Sequence, residues 1–153
     1  MSPLEGRQAL VTGASGAIGG AIAEALGARG ARVLAVGRDV ARLDALARRL
    51  RAHAQTASVV AADLADDVAI RRVASAALGE FGGVDVLVHA AGAFATGPLE
   101  TQPAEVFDQQ LRVNARVPYL LTQQLLPSLL ERRGEIVFVN SSVVLAPRAG
   151  VGA

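Results

Sequence analysis

Glycines at positions 13, 16 and 19 recur every three residues behind a short apolar run near the amino end of the chain. That run, Gln8–Val11, predicts a buried strand that leads into a helix. At such a junction Gly13 permits a tight turn, and Gly19 lets the helix pack on the strand. Gly16 or Ala17 would let the backbone approach a pyrophosphate, which the N–H groups at a helix N-terminus attract. A βα turn without a ligand is the alternative. The pattern predicts a dinucleotide-binding turn built from Gly13, Ser15, Gly16, Ala17, Ile18 and Gly19.

A basic residue, Arg38, follows the second apolar run, Arg32–Gly37. A carboxylate at the end of this strand would bind the ribose 2′-hydroxyl of NAD, but Gly37 occupies that position. An arginine there accommodates a 2′-phosphate through a charge-assisted pairing. We therefore expect NADP as the cofactor, with NAD as the less favoured alternative. The glycine turn offers no second basic residue, and a solvated loop arginine is the other interpretation of Arg38.

Two more polar groups sit where chemistry is possible. Asn114 interrupts a helical pattern, and its amide competes for backbone hydrogen bonds, which predicts a local break with a carbonyl free to hold water. A simple kink between two helices would look the same. Ser141 and Ser142 close the fifth apolar run, where a hydroxyl can bind a substrate carbonyl as negative charge develops on its oxygen. Two serines in that place are also common as a helix cap or a loop.

These residues require a scaffold that brings strand ends together, and the hydropathy pattern supplies one. Short apolar runs alternate with longer amphipathic segments, which predicts a doubly wound parallel α/β sheet in one domain, residues 1–153. In the first helix, 17–29, we expect Ile18, Ile22 and Leu26 to face the sheet. A long helical stretch, either continuous or broken at one point, should run from Pro103 to about position 132. The predicted strands are 8–11, 32–37, 57–62, 84–90 and 135–140.

Composition narrows the function classes. The chain has 153 residues, no cysteine and a net charge of +1, so neither thiolate chemistry nor a charged polymer such as nucleic acid is expected. No apolar run reaches the ~18 residues of a membrane span, and the amino end lacks a secretory pattern. The two histidines, His53 and His89, have no metal-ligand spacing. We expect a cytoplasmic, globular protein without a metal or a membrane contact.

The segment 12–19 resembles the cofactor turn of the classical short-chain dehydrogenases/reductases. Their usual pattern is Thr-Gly-x-x-x-Gly-x-Gly, and this chain carries Ala17 in place of the middle glycine. Gly16 gives a spacing closer to the extended branch of the family. The resemblance implies a Rossmann-type sheet and an NADP-dependent oxidoreductase that acts on a small carbonyl or alcohol. It also implies a homodimer or homotetramer paired through the helix at 115–132, whose leucines and valine are otherwise ordinary core (Val117, Leu121, Leu125 and Leu129).

The same resemblance assigns roles to further positions. Asp63 and Leu64 would contact the adenine, although Asp63 could equally cap the next turn. Ala90, Ala91 and Gly92 stand in the ribose segment, where His89 and Ala90 replace two asparagines of the family pattern. A structural role for His89 is favoured over acid–base chemistry. Asn114 would anchor the water of a proton relay. Ser142 would be the catalytic serine.

The proton donor of the family is a tyrosine in a Tyr-x-x-x-Lys motif, about a dozen residues beyond the serine. That position falls just past Ala153, Tyr119 is not followed by a lysine at this spacing, and the sequence contains no lysine. One interpretation is an incomplete domain, truncated after the fifth strand and inactive alone, from a larger enzyme. The other is a non-catalytic dinucleotide-binding fragment or sensor. A serine hydrolase is disfavoured because no Gly-x-Ser-x-Gly elbow occurs.

Overall fold

The computed structural model describes residues 3–53 and 57–141, without the side chains of His53 and Glu80. Within this part of the chain no helix is long and apolar enough to cross a membrane. The strands lie within two residues of the predicted bounds. In chain order the elements are β1 (Gln8–Val11), α1 (Ala17–Ala28), β2 (Arg32–Gly37), α2 (Val40–His53), β3 (Ala57–Ala61), α3 (Asp67–Phe81), β4 (Val86–His89), α4 (Ala104–Leu111), a π-helical turn (Arg112–Arg116), α5 (Val117–Glu131) and β5 (Glu135–Phe138).

The five strands form one parallel sheet in the order β3-β2-β1-β4-β5. Leu10 of β1 pairs in register with Leu34 on one side and Leu87 on the other. From β1 the chain crosses to β2 on one side, and it later crosses back to β4 on the other. The loops after β1 and β4 therefore diverge at the carboxyl edge, which is where ligands bind in such sheets. The predicted doubly wound, Rossmann-type fold is confirmed.

Helices cover both faces of the central strands β1, β2 and β4, whereas all four residues of the edge strand β5 are exposed. On one face the alternate strand residues Val11 and Val33 pack with the α2 leucines. On the other face Leu10 and Leu87 pack with α3 and α5. The inward faces of α2 and α3 are apolar, and all of their residues in this set are buried (Leu43, Leu46, Leu50, Ile70, Val73, Ala77 and Phe81). Because side chains alternate along each strand, both faces of the sheet are apolar.

The predicted inward face of α1 is wrong at Ile18, which is 62% exposed. Ile22 and Leu26 do pack against the core, although both are only partly buried. The residues of α1 that are buried are small: Gly19, Gly20, Ala23 and Gly27. Small residues allow the helix backbone to approach the sheet closely, and a row of isoleucines would hold it away. The close approach of α1 fixes its first turn beside the end of β1.

The long helical stretch begins after Pro103 and contains the predicted break, which is the π-helical turn Arg112–Arg116. Asn114 lies in this turn. The residue four positions later, Pro118, has no N–H, so the ordinary helical bond to the Asn114 carbonyl cannot form. Single π turns of this kind occur mostly inside α-helices, and they are frequent at functional sites.

The apolar residues of α5 named above as interface candidates belong to the core. Val117, Leu121, Leu125 and Leu129 are all buried and contact the side of the sheet that α3 covers. The ordinary-core alternative is therefore the right one for these four residues. The outward face of α5 instead carries exposed apolar side chains, Tyr119, Leu126 and Leu130.

Candidate dinucleotide cleft

The turn after β1 is shaped by two glycines. Gly13 has a φ of +67°, and a Cβ on it would lie 2.5 Å from the carbonyl oxygen of Ala90. A Cβ on Gly19 would collide with the carbonyl oxygen of Gly13. Both positions therefore need glycine for the turn itself, whatever it binds. Gly16 is less constrained, since its Cβ would lie 3.3 Å from that same oxygen.

The first turn of α1 leaves its backbone donors without a side-chain cap. Gly16 is the N-cap residue in an extended conformation, and no side-chain oxygen bonds to the N–H groups that follow it. Ala17 and Ile18 are exposed on this turn, and Gly19 is buried behind it. Uncapped N–H groups at a helix N-terminus can bind the oxygens of a phosphate.

Thr12 joins this turn to the loop after β4. Its buried hydroxyl oxygen accepts hydrogen bonds from the N–H groups of Ala90 and Ala91, both at 3.1 Å. The hydroxyl also lies 3.3 Å from the carbonyl of Val88, to which it donates. The Thr12 side chain thus connects the turn after β1 to the loop after β4 at the carboxyl edge of the sheet. The threonine is part of the pattern noted in the sequence, but this role could not be read from it.

At the end of β2, Gly37 lies against Ser15 of the glycine turn. A Cβ on Gly37 would be 2.5 Å from the Ser15 hydroxyl and 2.9 Å from its backbone nitrogen. Arg38 follows with an exposed side chain that makes no ion pair within the described residues. Arg42 stands one helical turn further on, where it pairs with Asp39 at 3.3 Å. Arg42 is a second cation near the end of β2 that the sequence analysis missed, although its position four residues after Arg38 was a usable signal.

The loop after β3 contains Asp63 and Leu64. One carboxylate oxygen of Asp63 accepts from the N–H of Ala65 at 3.1 Å, so Asp63 caps this turn, while its contact with an adenine stays a prediction. Leu64 is buried, with 6% of its surface exposed. Arg112 of the π turn donates to the Ala65 carbonyl, which ties this loop to the helix that carries Asn114.

His89, at the end of β4, has a structural environment. It is 3% exposed, its Nε2 lies 3.0 Å from the hydroxyl of Thr122, and its ring stacks on Phe138 at 5.0 Å. Burial lowers the pKa of His89 to about 4, so the ring is neutral at physiological pH. These contacts support the structural interpretation over acid–base chemistry.

The side-chain amide of Asn114 bonds to the loop after β4. Its Oδ1 accepts from the N–H of Ala93 and its Nδ2 donates to the carbonyl of the same residue, both at 2.8 Å. One turn earlier, the buried Gln110 accepts from the N–H of Ala95 at 3.3 Å. On the outer side of the helix, Arg116 pairs with both carboxylate oxygens of Asp67, and this hydrogen bonding lowers the pKa of Asp67. The π turn is therefore anchored on two sides.

Beyond β5 the chain is described as far as Ser141, whose N–H bonds to the Asn140 side chain at 2.9 Å. Ser142, the predicted catalytic serine, lies outside the described residues.

The loops meet around a cleft of about 690 Å³ at the carboxyl edge of the sheet. This volume is in the usual range for a small-molecule site. Gly13 packs against the loop after β4 and Gly37 packs against Ser15, so the walls of the cleft are fixed relative to one another. Of the predicted cofactor residues, those on its lining are Gly13, Ser15, Gly16, Arg38, Asp63, Leu64, Ala90, Ala91 and Gly92.

Comparison with known proteins gives a consistent picture. The family model described as short chain dehydrogenase matches residues 7–153. A short chain dehydrogenase of Pseudocercospora fijiensis is 37% identical over 92% of this chain and 46% of its own length. D-threitol dehydrogenase of Mycolicibacterium smegmatis is 36% identical over 86% of this chain and 50% of its own length. The chain thus spans about half the length of these relatives.

Among solved structures, a metagenomic short-chain oxidoreductase in complex with NADP is 39% identical, with a TM-score of 0.90. The alignment covers 97% of this chain and 68% of that one. The parallel sheet and its flanking helices are therefore shared with a protein that was solved with a dinucleotide.

Proposed function

This chain belongs to the short-chain dehydrogenase family, and we propose that its protein transfers a hydride between NADP(H) and a small carbonyl or alcohol substrate. The observation that carries the proposal is the cleft, which joins the glycine turn, the cationic end of β2 and the loop after β4. The activity is proposed for the whole protein. The 153 residues contain no Tyr-x-x-x-Lys motif, so we expect them alone to bind the cofactor without turnover.

The cofactor would be held by residues on three loops. The uncapped N–H groups at the start of α1 would bind the pyrophosphate, and Gly13 permits the tight turn that places them beside the cleft. Asp63 and Leu64 would contact the adenine, while Ala91 and Gly92 would leave space for the ribose. When bound, the nicotinamide supplies or accepts the hydride.

The choice of NADP rests on charge at the end of β2. Arg38 has no carboxylate partner within the described residues and is exposed beside the cleft. A guanidinium in that state is available for a 2′-phosphate dianion. Arg42 would add a second positive charge once the phosphate competes with Asp39 for it.

Two residues of this chain would serve the chemical step. The Ser142 hydroxyl would donate to the substrate oxygen and stabilise the negative charge that develops there. The backbone carbonyl of Asn114, which Pro118 deprives of its ordinary helical donor, would hold a water for proton relay. The amide of Asn114 is already bonded to Ala93 and would keep the turn in place.

The oligomer would form through the outward face of α5, and we infer a homodimer or homotetramer. Tyr119, Leu126 and Leu130 lie seven and four residues apart, which places them on one side of the helix. Leu130 is 70% exposed and Tyr119 is 65% exposed. A patch of large apolar side chains on one helix face is typical of a protein–protein contact.

Calorimetric titration of NADPH and NADH tests the cofactor proposal. We expect saturable NADPH binding, and Arg38→Ala should weaken it by about tenfold or more while changing NADH affinity little, because a charged hydrogen bond is lost. Arg48→Ala, an exposed arginine further along α2, is the matched control and should leave both affinities unchanged. Equal loss of both cofactors in Arg38→Ala would contradict the 2′-phosphate role.

Reductase activity of the full-length protein tests the catalytic proposal. Ser142→Ala should abolish turnover and retain NADPH binding. Cofactor binding without any turnover by the full-length protein would favour the non-catalytic sensor instead.

A further inference from the structure

Gln110 is a buried amide that the proposed chemistry does not use. We propose that it is a positioning residue, which together with Asn114 clamps the loop segment 93–95 and so fixes Phe94 in the wall of the cleft. The role in substrate recognition rests on the proposed function, whereas the clamp itself does not.

The two amides and the loop match in spacing. Residues four apart along a helix are separated by about 6 Å along its axis, and residues two apart in an extended chain by about 6.6 Å. Asn114 bonds to Ala93 and Gln110 bonds to Ala95, so the loop runs antiparallel to the helix with one amide at each bonded residue. Two attachment points, rather than one, define the orientation of the segment between them.

The burial of Gln110 argues that its acceptor oxygen matters. The residue is 7% exposed, and its Nε2 has no hydrogen-bond partner among the described residues. A buried donor without a partner costs free energy that a methionine or leucine of similar size would avoid. The compensation visible in the structure is the bond from the N–H of Ala95 to Gln110 Oε1.

Phe94 is the side chain that this clamp would orient. It lies between the two clamped alanines, is 67% exposed and lines the cleft. An exposed aromatic ring on a loop loses rotational freedom when a ligand packs on it, and a fixed backbone reduces that loss. Phe94 would therefore contact an apolar substituent of the substrate, and Gln110 would act on substrate binding through it.

Hydrogen–deuterium exchange of the full chain tests the clamp directly. Gln110→Met keeps the size of the side chain and removes the acceptor, so exchange in the peptide covering 93–97 should rise about tenfold. Gln110→Glu should restore slow exchange, because a carboxyl group carries an acceptor oxygen in either protonation state. Gln124→Met, the same change at an exposed position of α5, should leave this peptide unchanged. Unaltered exchange in Gln110→Met, or equally fast exchange in Gln110→Glu, would overturn the proposal.

A second variant protects the test if Gln110→Met unfolds. Ala95→Pro removes the donor of the same bond without altering the helix. It too should speed exchange at the neighbouring amides, and combining it with Gln110→Met should add little further effect. Fully additive effects would mean that the two residues do not act through one bond.

Kinetics separate this proposal from the proposed function. With acetophenone and NADPH, Gln110→Met should raise KM by about three- to tenfold and leave kcat within about twofold, and Gln110→Glu should return KM toward the original value. A fall in kcat at unchanged KM would overturn the substrate role of Gln110. A protein that shows no reductase activity with any carbonyl would count against the proposed function, while the exchange data would still decide whether the clamp exists.

Discussion

Gly13 and Ala90 lie so close together that a single methyl group on Gly13 would come within 2.5 Å of the Ala90 carbonyl oxygen. Gly13 also has a φ of +67°, which L side chains rarely adopt. The contact joins the ends of β1 and β4, between which the cleft opens. Steric exclusion and backbone conformation thus both require glycine here.

We therefore expect Gly13→Ala to lower the free energy of unfolding by about 3 kcal/mol, the sum of left-handed strain and overpacking. Urea denaturation followed by circular dichroism measures this. Gly79→Ala is the matched control, and its effect on the free energy of unfolding should have the opposite sign, since a Cβ on Gly79 in α3 meets nothing within 4 Å. Alanine is the better helix former, so Gly79→Ala should stabilise by about 0.5–1 kcal/mol. A Gly13→Ala protein as stable as the original would show that the turn can relax.

The neutral His89 makes stability depend on pH. Burial lowers its pKa from 6.5 to about 4 in the folded state, so between these values the unfolded chain binds the proton more readily. The full free energy of unfolding is therefore present above about pH 6.5. As the pH falls toward 4, the buried neutral His89 lowers the free energy of unfolding by up to about 3 kcal/mol.

Comparison with His89→Gln isolates this effect, because glutamine can still bond to Thr122 but does not titrate. We expect the difference between the two unfolding free energies to change between pH 6.5 and 4 and to stay constant above that range. All other ionisable groups are common to the two proteins, so their effects cancel in the difference. A difference that is constant across the whole range would show that His89 is not neutralised by burial.

The outward face of α5 predicts an oligomer that one charge can disrupt. Leu130→Arg should convert the proposed oligomer to a monomer, because a guanidinium in an apolar contact is costly to desolvate. Light scattering after gel filtration gives the mass. Leu99→Arg, at an equally exposed leucine outside the helix, should leave the mass unchanged. A protein that is monomeric before substitution would contradict the interface.

The alternation of apolar runs predicted the sheet because each buried strand is apolar on both faces, a pattern that few other structures produce. The prediction for α1 was incomplete for the opposite reason. Its fully buried residues include Gly19, Gly20 and Ala23, and small residues that permit close approach carry almost no hydrophobic signal. Hydrophobic periodicity detects the large apolar side chains of a buried helix face and misses the glycines and alanines that let two elements pack closely.

The site shows the same division. Gly13 and Arg38 could be identified because a turn and a charge after a strand have few interpretations. Gln110 could not, since a glutamine on a helix is usually solvated, and its burial depends on a loop fifteen residues away. Roles that depend on tertiary contacts leave no local trace in the sequence.

The contact between Gly37 and Ser15 predicts how substitutions at the end of β2 change the preference for NAD or NADP. Placing an acid at the end of β2 should favour NAD by binding the 2′-hydroxyl. Here, however, a Cβ at this position would lie 2.5 Å from the Ser15 hydroxyl and 2.9 Å from the Ser15 backbone nitrogen. We therefore expect Gly37→Asp to displace the glycine turn and weaken both NADPH and NADH, by about tenfold or more each.

Ser15→Gly combined with Gly37→Asp removes the hydroxyl contact but not the backbone one, so it should recover only part of the lost affinity. Arg38→Asp places the acid one residue later, where the side chain is exposed and no collision occurs. Of the two single substitutions, Arg38→Asp should be the one that raises NADH affinity relative to NADPH. Calorimetric titration of both cofactors decides the matter, and a strong NADH preference in Gly37→Asp would mean that the contact between Gly37 and Ser15 does not constrain the cleft.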